Sequence, residues 1–167
     1  MTRDEVLERL QHARALFDRR VRAIPPELFD VPVPGGTKTP KQIVAHVAAY
    51  EALIVGRLRN ARLGETTLYD RDRAGWEIFN ARKWAESASA DPAQVLEDSN
   101  RTFTELIHEI VLLHDDELNS ATGITKHVDQ SWLHGRSLAE MIAIDGFEHY
   151  PKHYIQLEKA AAAAPQV

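Results

Sequence analysis

Two histidines near the C-terminal end, His149 and His153, stand four residues apart in the stretch IAIDGFEHYPKHY, residues 142–154. On a helix that spacing stacks the imidazoles on one face, a standard way of offering two nitrogens to one metal ion. Asp145, one turn earlier, shares that face. It reads either as the acceptor that orients an imidazole through its second nitrogen or as a surface carboxylate. A pair becomes a site only with a third ligand, and His46 in TPKQIVAHV, residues 39–47, is the candidate. It lies on one stripe with Ile43, Val47, Tyr50, Ile54 and Leu58, where a lone histidine is usually a hydrogen-bonded core residue. Three histidines at matching heights point instead to a metal site.

Three neutral imidazoles leave a position on the ion where water is acidified or a substrate oxygen or thiolate binds. That chemistry is hydrolysis, or transfer of an external thiol onto a small electrophilic molecule. Cysteine is absent, so the thiol would come from a cosubstrate, and disulfides, thiolate ligands and a cysteine nucleophile are excluded. No Ser or Asp stands out as a nucleophile paired with a base. Tyr50, one turn past His46, reads as a pocket-lining hydroxyl or as a core residue with a wet tip. Trp132 and His134 precede the last helix. Trp132 is either part of a lid over the site or a packing anchor for its own loop.

The elements that must position these residues follow from apolar periodicity and caps. Val6, Leu10, Ala13, Phe17 and Val21 recur at helical spacing over residues 3–23, and Pro25-Pro26 ends that helix. Thr39-Pro40-Lys41-Gln42 is a capping box opening a second helix that closes near Gly64. Trp76, Phe79 and Trp84 suggest a short helical excursion over residues 72–87, with Trp76 and Trp84 plugging it onto the bundle. Asp91-Pro92-Ala93-Gln94 and Ser137-Leu138-Ala139-Glu140 read as capping boxes for a third and a fourth helix. The fourth is expected to run to about residue 159. Residues 115–136 read as a long connection.

Four amphipathic helices in 167 residues predict an all-α four-helix bundle forming one domain, residues 1–160, with a frayed tail at 161–167. The long link between the second and third helices allows an up-down-down-up order. The second and fourth helices are then antiparallel, which brings His46 level with His149 and His153. Pro151, between the last two, removes a helical hydrogen bond and is expected to kink the pair.

The pattern resembles the DinB/YfiT superfamily of four-helix bundles, through TPKQIVAHV on the second helix and HYPKH on the fourth. The segments 39–64 and 75–110 most resemble its ClbS/DfsB branch. The resemblance implies an up-down-down-up bundle and a divalent metal, nickel or zinc, which ligand type does not separate, held by His46, His149 and His153. It also implies metal-dependent thiol transfer or, in the ClbS branch, self-resistance by hydrolysis of an electrophilic natural product. ClbS-like members often lack the full histidine set, so branch and metal point in different directions.

Net charge is −5 with mixed signs along the chain, and there is no basic stripe for nucleic acid. The apolar run of residues 43–55 is interrupted by His46 and Glu51 and is too short for a bilayer. The charged start MTRDEVLERL lacks a signal-peptide core. A cytoplasmic protein acting on a small molecule is expected. A homodimer is the assembly that bundles of this kind often form.

Overall fold

The computed structural model describes residues 1–68 and 75–164. Among the described residues there are eight α-helices, two short 3-10 segments and no strand. We number the helices α1 Arg3–Arg22, α2 Pro40–Arg62, α3 Trp76–Ala88, α4 Pro92–Val111, α5 Asp115–Asn119, α6 Gln130–Leu133, α7 Leu138–Asp145 and α8 Pro151–Ala162.

Local chemistry sets most of these ends. Complete capping boxes at Thr2, Thr39 and Ser137 each satisfy two orphan N–H groups. At Asp91 the box is only half made. Its side chain caps Gln94 N, while the Gln94 amide turns away to Asp98 Oδ1 at 2.9 Å. α2 closes at Leu63, and Gly64 follows with φ 77 in the left-handed region.

The contacts fix the helix directions. Arg3 at the start of α1 donates to Asp115 and Val111 at the end of α4, so α1 and α4 are antiparallel. Lys41, early in α2, donates to the carbonyls of Ala88 and Ala90 just before α4, and Arg59 and Arg62 bind Glu109 near its end. α2 and α4 are therefore parallel. α1 runs with α8, since Arg9 faces Phe147, Phe17 faces Tyr150 and Arg20 pairs with Glu158. The order is the expected up-down-down-up, and α3 carries the chain back along the bundle between the two parallel helices.

α2 is the central strut, in contact with α3, α4, α7 and α8. It buries Ile43, Val47, Ile54 and Leu58 on one side and Val44, Val55 and Ala61 on others, as expected of a helix apolar on most faces. The α1 stripe from Val6 to Val21 is buried as predicted, together with Leu106, Ile110, Leu138, Ile142 and Leu157 from the opposing helices.

Two expectations are corrected. The fourth helix is not continuous: α7 ends at Asp145 and α8 begins at Pro151. The break centres on Gly146, where a Cβ would stand 2.5 Å from the Ile142 carbonyl oxygen and 3.0 Å from Leu10 Cδ2. The main chain there approaches both α7 and α1 too closely for any side chain. Pro151 then opens α8 at a position that needs no N–H donor. The second correction concerns residues 115–136, which contain α5, α6 and the 3-10 segment Gly123–His127. These elements are of four or five residues, too short to show periodicity. The predicted excursion is α3, of which positions 72–74 lie outside the described residues. α8 continues to Ala162, into the stretch expected to fray, and residues 165–167 also lie outside those described.

Candidate metal centre

His46 sits two turns into α2 on its inward face, 4% exposed. His149 comes from the turn between α7 and α8 and is 7% exposed, and His153 is half-buried in the first turn of α8. The turn is tight: His149 N–H donates to Gly146 O at 2.8 Å and His153 N–H to Tyr150 O at 3.0 Å. The kink expected at Pro151 exists, displaced to Gly146, and it does not separate the rings. His149 Nε2 lies 3.1 Å from His46 Nε2 and 3.2 Å from His153 Nε2. One ligand atom from each residue lies within 4.8 Å of the others.

These spacings fit a metal. With metal–nitrogen bonds of about 2.0–2.1 Å, two imidazole nitrogens stand roughly 3.3 Å apart at a tetrahedral angle and roughly 3.0 Å apart at an octahedral right angle. They fit a purely protein-made hydrogen-bond cluster badly. His153 Nδ1 meets the Gln156 carbonyl oxygen at 2.8 Å, which places its proton there and leaves a lone pair on Nε2. His149 Nε2 holds either one proton or one lone pair, yet faces two nitrogens. One cation accepts all three lone pairs. His46 Nδ1 is buried without a hydrogen-bond partner, a cost of about 1–3 kcal/mol whether or not an ion sits on Nε2.

Electrostatics favours the neutral form of His46 and His153. Burial first, then the imidazoles of His149 and His153, push His46 down to about 2. Burial also lowers His153, against the hydrogen bond to Gln156. Neutral imidazole is the form that binds metal.

Aromatic walls surround the cluster. Trp84 stacks on His46 with centroids 4.3 Å apart and planes at 21°. Tyr50 sets its ring against His46 and His149 at 5.0 and 4.5 Å, and its hydroxyl donates to Asn80 Oδ1 at 3.1 Å. Tyr50 is core, with its ring against the two imidazoles and its hydroxyl on Asn80. Trp84, expected only to plug α3 onto the bundle, covers His46, whereas Trp76 is 59% exposed. Asp145 Oδ2 accepts the indole N–H of Trp132 at 2.8 Å. Trp132 is 1% exposed beneath the Arg57 guanidinium, so it anchors its connection to α2 and α7. His134, with φ 50, is exposed, as are His12, His108, His114 and His127.

Sequence reasoning missed the groups that hold the turn. Tyr150, 0% exposed, donates its hydroxyl to Glu51 Oε1 at 2.6 Å. Glu51, also 0% exposed, receives Arg14 Nη1 at 3.0 and 3.2 Å. Arg14 continues to Asp18, Ser99 and Asn100, tying α1, α2, α4 and the His149 turn together. Burial raises Glu51 above the usual carboxylate range, and Arg14 and the Tyr150 hydroxyl offset only part of that rise. The available signal was a carboxylate inside the apolar run of α2, since a buried charge requires a partner.

A search of the curated proteins returned no match. Among solved structures, a crystal structure of an uncharacterised protein from Escherichia coli UTI89 is similar. Its TM-score is 0.77 at 16% sequence identity, covering 96% of this chain and 93% of the other, a likeness of fold. Among the described residues no helix is long and apolar enough to cross a membrane. The model of the DinB superfamily matches residues 9–153, a span running from α1 through all three converging histidines, and the chain belongs to that superfamily.

Proposed function

We propose that this protein is a metal-dependent enzyme acting on a small electrophilic molecule, by hydrolysis or by thiol transfer. His46, His149 and His153 would hold the ion, nickel or zinc. The observation that carries the reading is the meeting of His46, from α2, with His149 and His153, about a hundred positions later: His149 Nε2 lies 3.1 and 3.2 Å from the other two, and one ligand atom from each of the three lies within 4.8 Å of the rest. When bound, the ion supplies a Lewis acid that activates water or an external thiol near neutral pH.

The chain's own residues do the positioning. Gln156 keeps the His153 proton on Nδ1, Trp84 and Tyr50 exclude water from two flanks, and the Tyr150–Glu51–Arg14 chain fixes the turn bearing His149. The half-buried edge at His153 is the side from which substrate arrives. A metal-free ClbS-like cavity is the weaker reading, because here the histidine set is complete and its rings converge.

Elemental analysis of protein purified without chelator tests this. Wild type is expected to carry about one nickel or zinc per chain, and His149→Ala to lose most of it, since a three-ligand site needs every ligand. Wild-type protein that holds no stoichiometric metal after incubation with both ions refutes the reading.

A further inference from the structure

A cleft of about 320 Å³ opens between the loop of residues 33–38 and α8. The loop is built rather than slack. Pro34-Gly35 forms the centre of a turn closed by Gly36 N–H to Val33 O at 2.9 Å, with Gly35 at φ 77. Pro followed by a left-handed Gly is the type II signature. Val33 N–H to Lys38 O at 2.9 Å pins the far end and sets Lys38 on the rim. Lys159 faces it from α8.

Two features mark this cleft. It is lined by two lysines and no carboxylate, in a chain of net charge −5. Among the described residues neither lysine forms a salt bridge, and the acidic neighbours are engaged elsewhere, Asp30 with Lys41 and Glu158 with Arg20. The cleft also abuts the histidine centre. Gln156 lines it and accepts the His153 N–H at 2.8 Å. Lys38 Nζ stands 5.1 Å over the Trp84 ring that stacks on His46. Two cations without an ion-pair partner among the described residues, set at a concave surface, focus a positive field that attracts an anion.

We infer that this cleft receives the anionic group of the substrate, a carboxylate or a phosphate, while the reacting atom lies at the three histidines. The substrate class is thus a small electrophile bearing a negative charge, an inference that rests on the metal-enzyme reading for its second half. Lys38 and Lys159 bind and orient it, and Gln156 joins the cleft to the ligand shell.

The test uses metal-free, isotope-labelled full-length protein titrated with inorganic phosphate and, separately, with succinate, against chloride-matched controls. Saturable shifts are expected at the Gly35 and Gly36 amides and the Trp84 indole, and the stronger arm identifies phosphate or carboxylate. Lys38→Gln and Lys159→Gln are each expected to weaken binding roughly fivefold, the scale of an exposed ion pair. Shifts that are absent, scattered, or unchanged in the double variant overturn the inference. Because no metal is present, the two readings separate. Localised phosphate binding without stoichiometric metal in the elemental analysis leaves the anion cleft standing and removes the metal enzyme. Stoichiometric metal without localised shifts does the reverse.

Discussion

Replacing Tyr150 by Phe tests whether the buried polar chain holds the His149 turn. The substitution keeps the ring, and with it the packing on Phe17 at 5.6 Å between centroids. It removes only the hydroxyl that reaches Glu51 at 2.6 Å. Burial, then the Glu51 carboxylate, holds Tyr150 well above its usual value, so it is a neutral donor at every working pH. Both groups are 0% exposed, and water does not replace the lost donor. A hydrogen bond to a charged group contributes about 1.5–3 kcal/mol. Glu51 keeps both contacts from Arg14, so the expected loss is about 2 kcal/mol. For a chain of this size that lowers Tm by roughly 4–8 °C. Urea and thermal unfolding of metal-free protein read the stability. Nickel titration reads the site, where loss of an orienting contact is expected to weaken affinity by about tenfold or more. Glu51→Gln closes a double-mutant cycle, in which a bonded pair shows coupling. A stability loss under about 0.5 kcal/mol, together with unchanged nickel affinity, would refute the idea that this chain positions His149.

Two further outcomes follow from the geometry. Gly146→Ala places a Cβ 2.5 Å from a backbone oxygen and is expected to cost about 1–3 kcal/mol; an unmoved urea midpoint would show that the close approach does not set the helix break. Glu109 is pushed up by burial but brought below its usual value by hydrogen bonds from Arg62 and Arg59. A depressed carboxylate contributes its full stability above the unfolded value near about pH 4.3 and loses it as pH falls through the folded one. Glu109→Gln should therefore flatten the acid limb of the stability curve between about pH 5 and about pH 2. Parallel limbs for variant and wild type would count against the pairing.

Much of the scaffold was legible because its signals are local. The capping boxes at Thr39 and Ser137, the Gly64 terminator and the α1 stripe each depend on residues within a few positions of one another. His46, His149 and His153 were findable because residue type and height along antiparallel helices both constrain them. The Gly146 break was not legible. At Gly146 the main chain comes close to the Ile142 carbonyl and to Leu10, which is distant in sequence, and a glycine in a helical pattern does not announce that. Trp84 and Gln156 were missed for a similar reason. Nothing in their local sequence says that one covers His46 or that the other takes the His153 proton, since both facts are made by packing between segments.

The separation of the ligands along the chain has a kinetic consequence. His46 and His149 lie 103 positions apart, so during synthesis the first is made long before its companions. A growing chain can therefore offer an ion only isolated imidazoles, and tight capture waits until the closing helix has docked against α1 and α2. If the three histidines hold an ion, its uptake should thus report that folding is finished, and a chain whose last segment peels away would surrender it before the rest of the bundle melts.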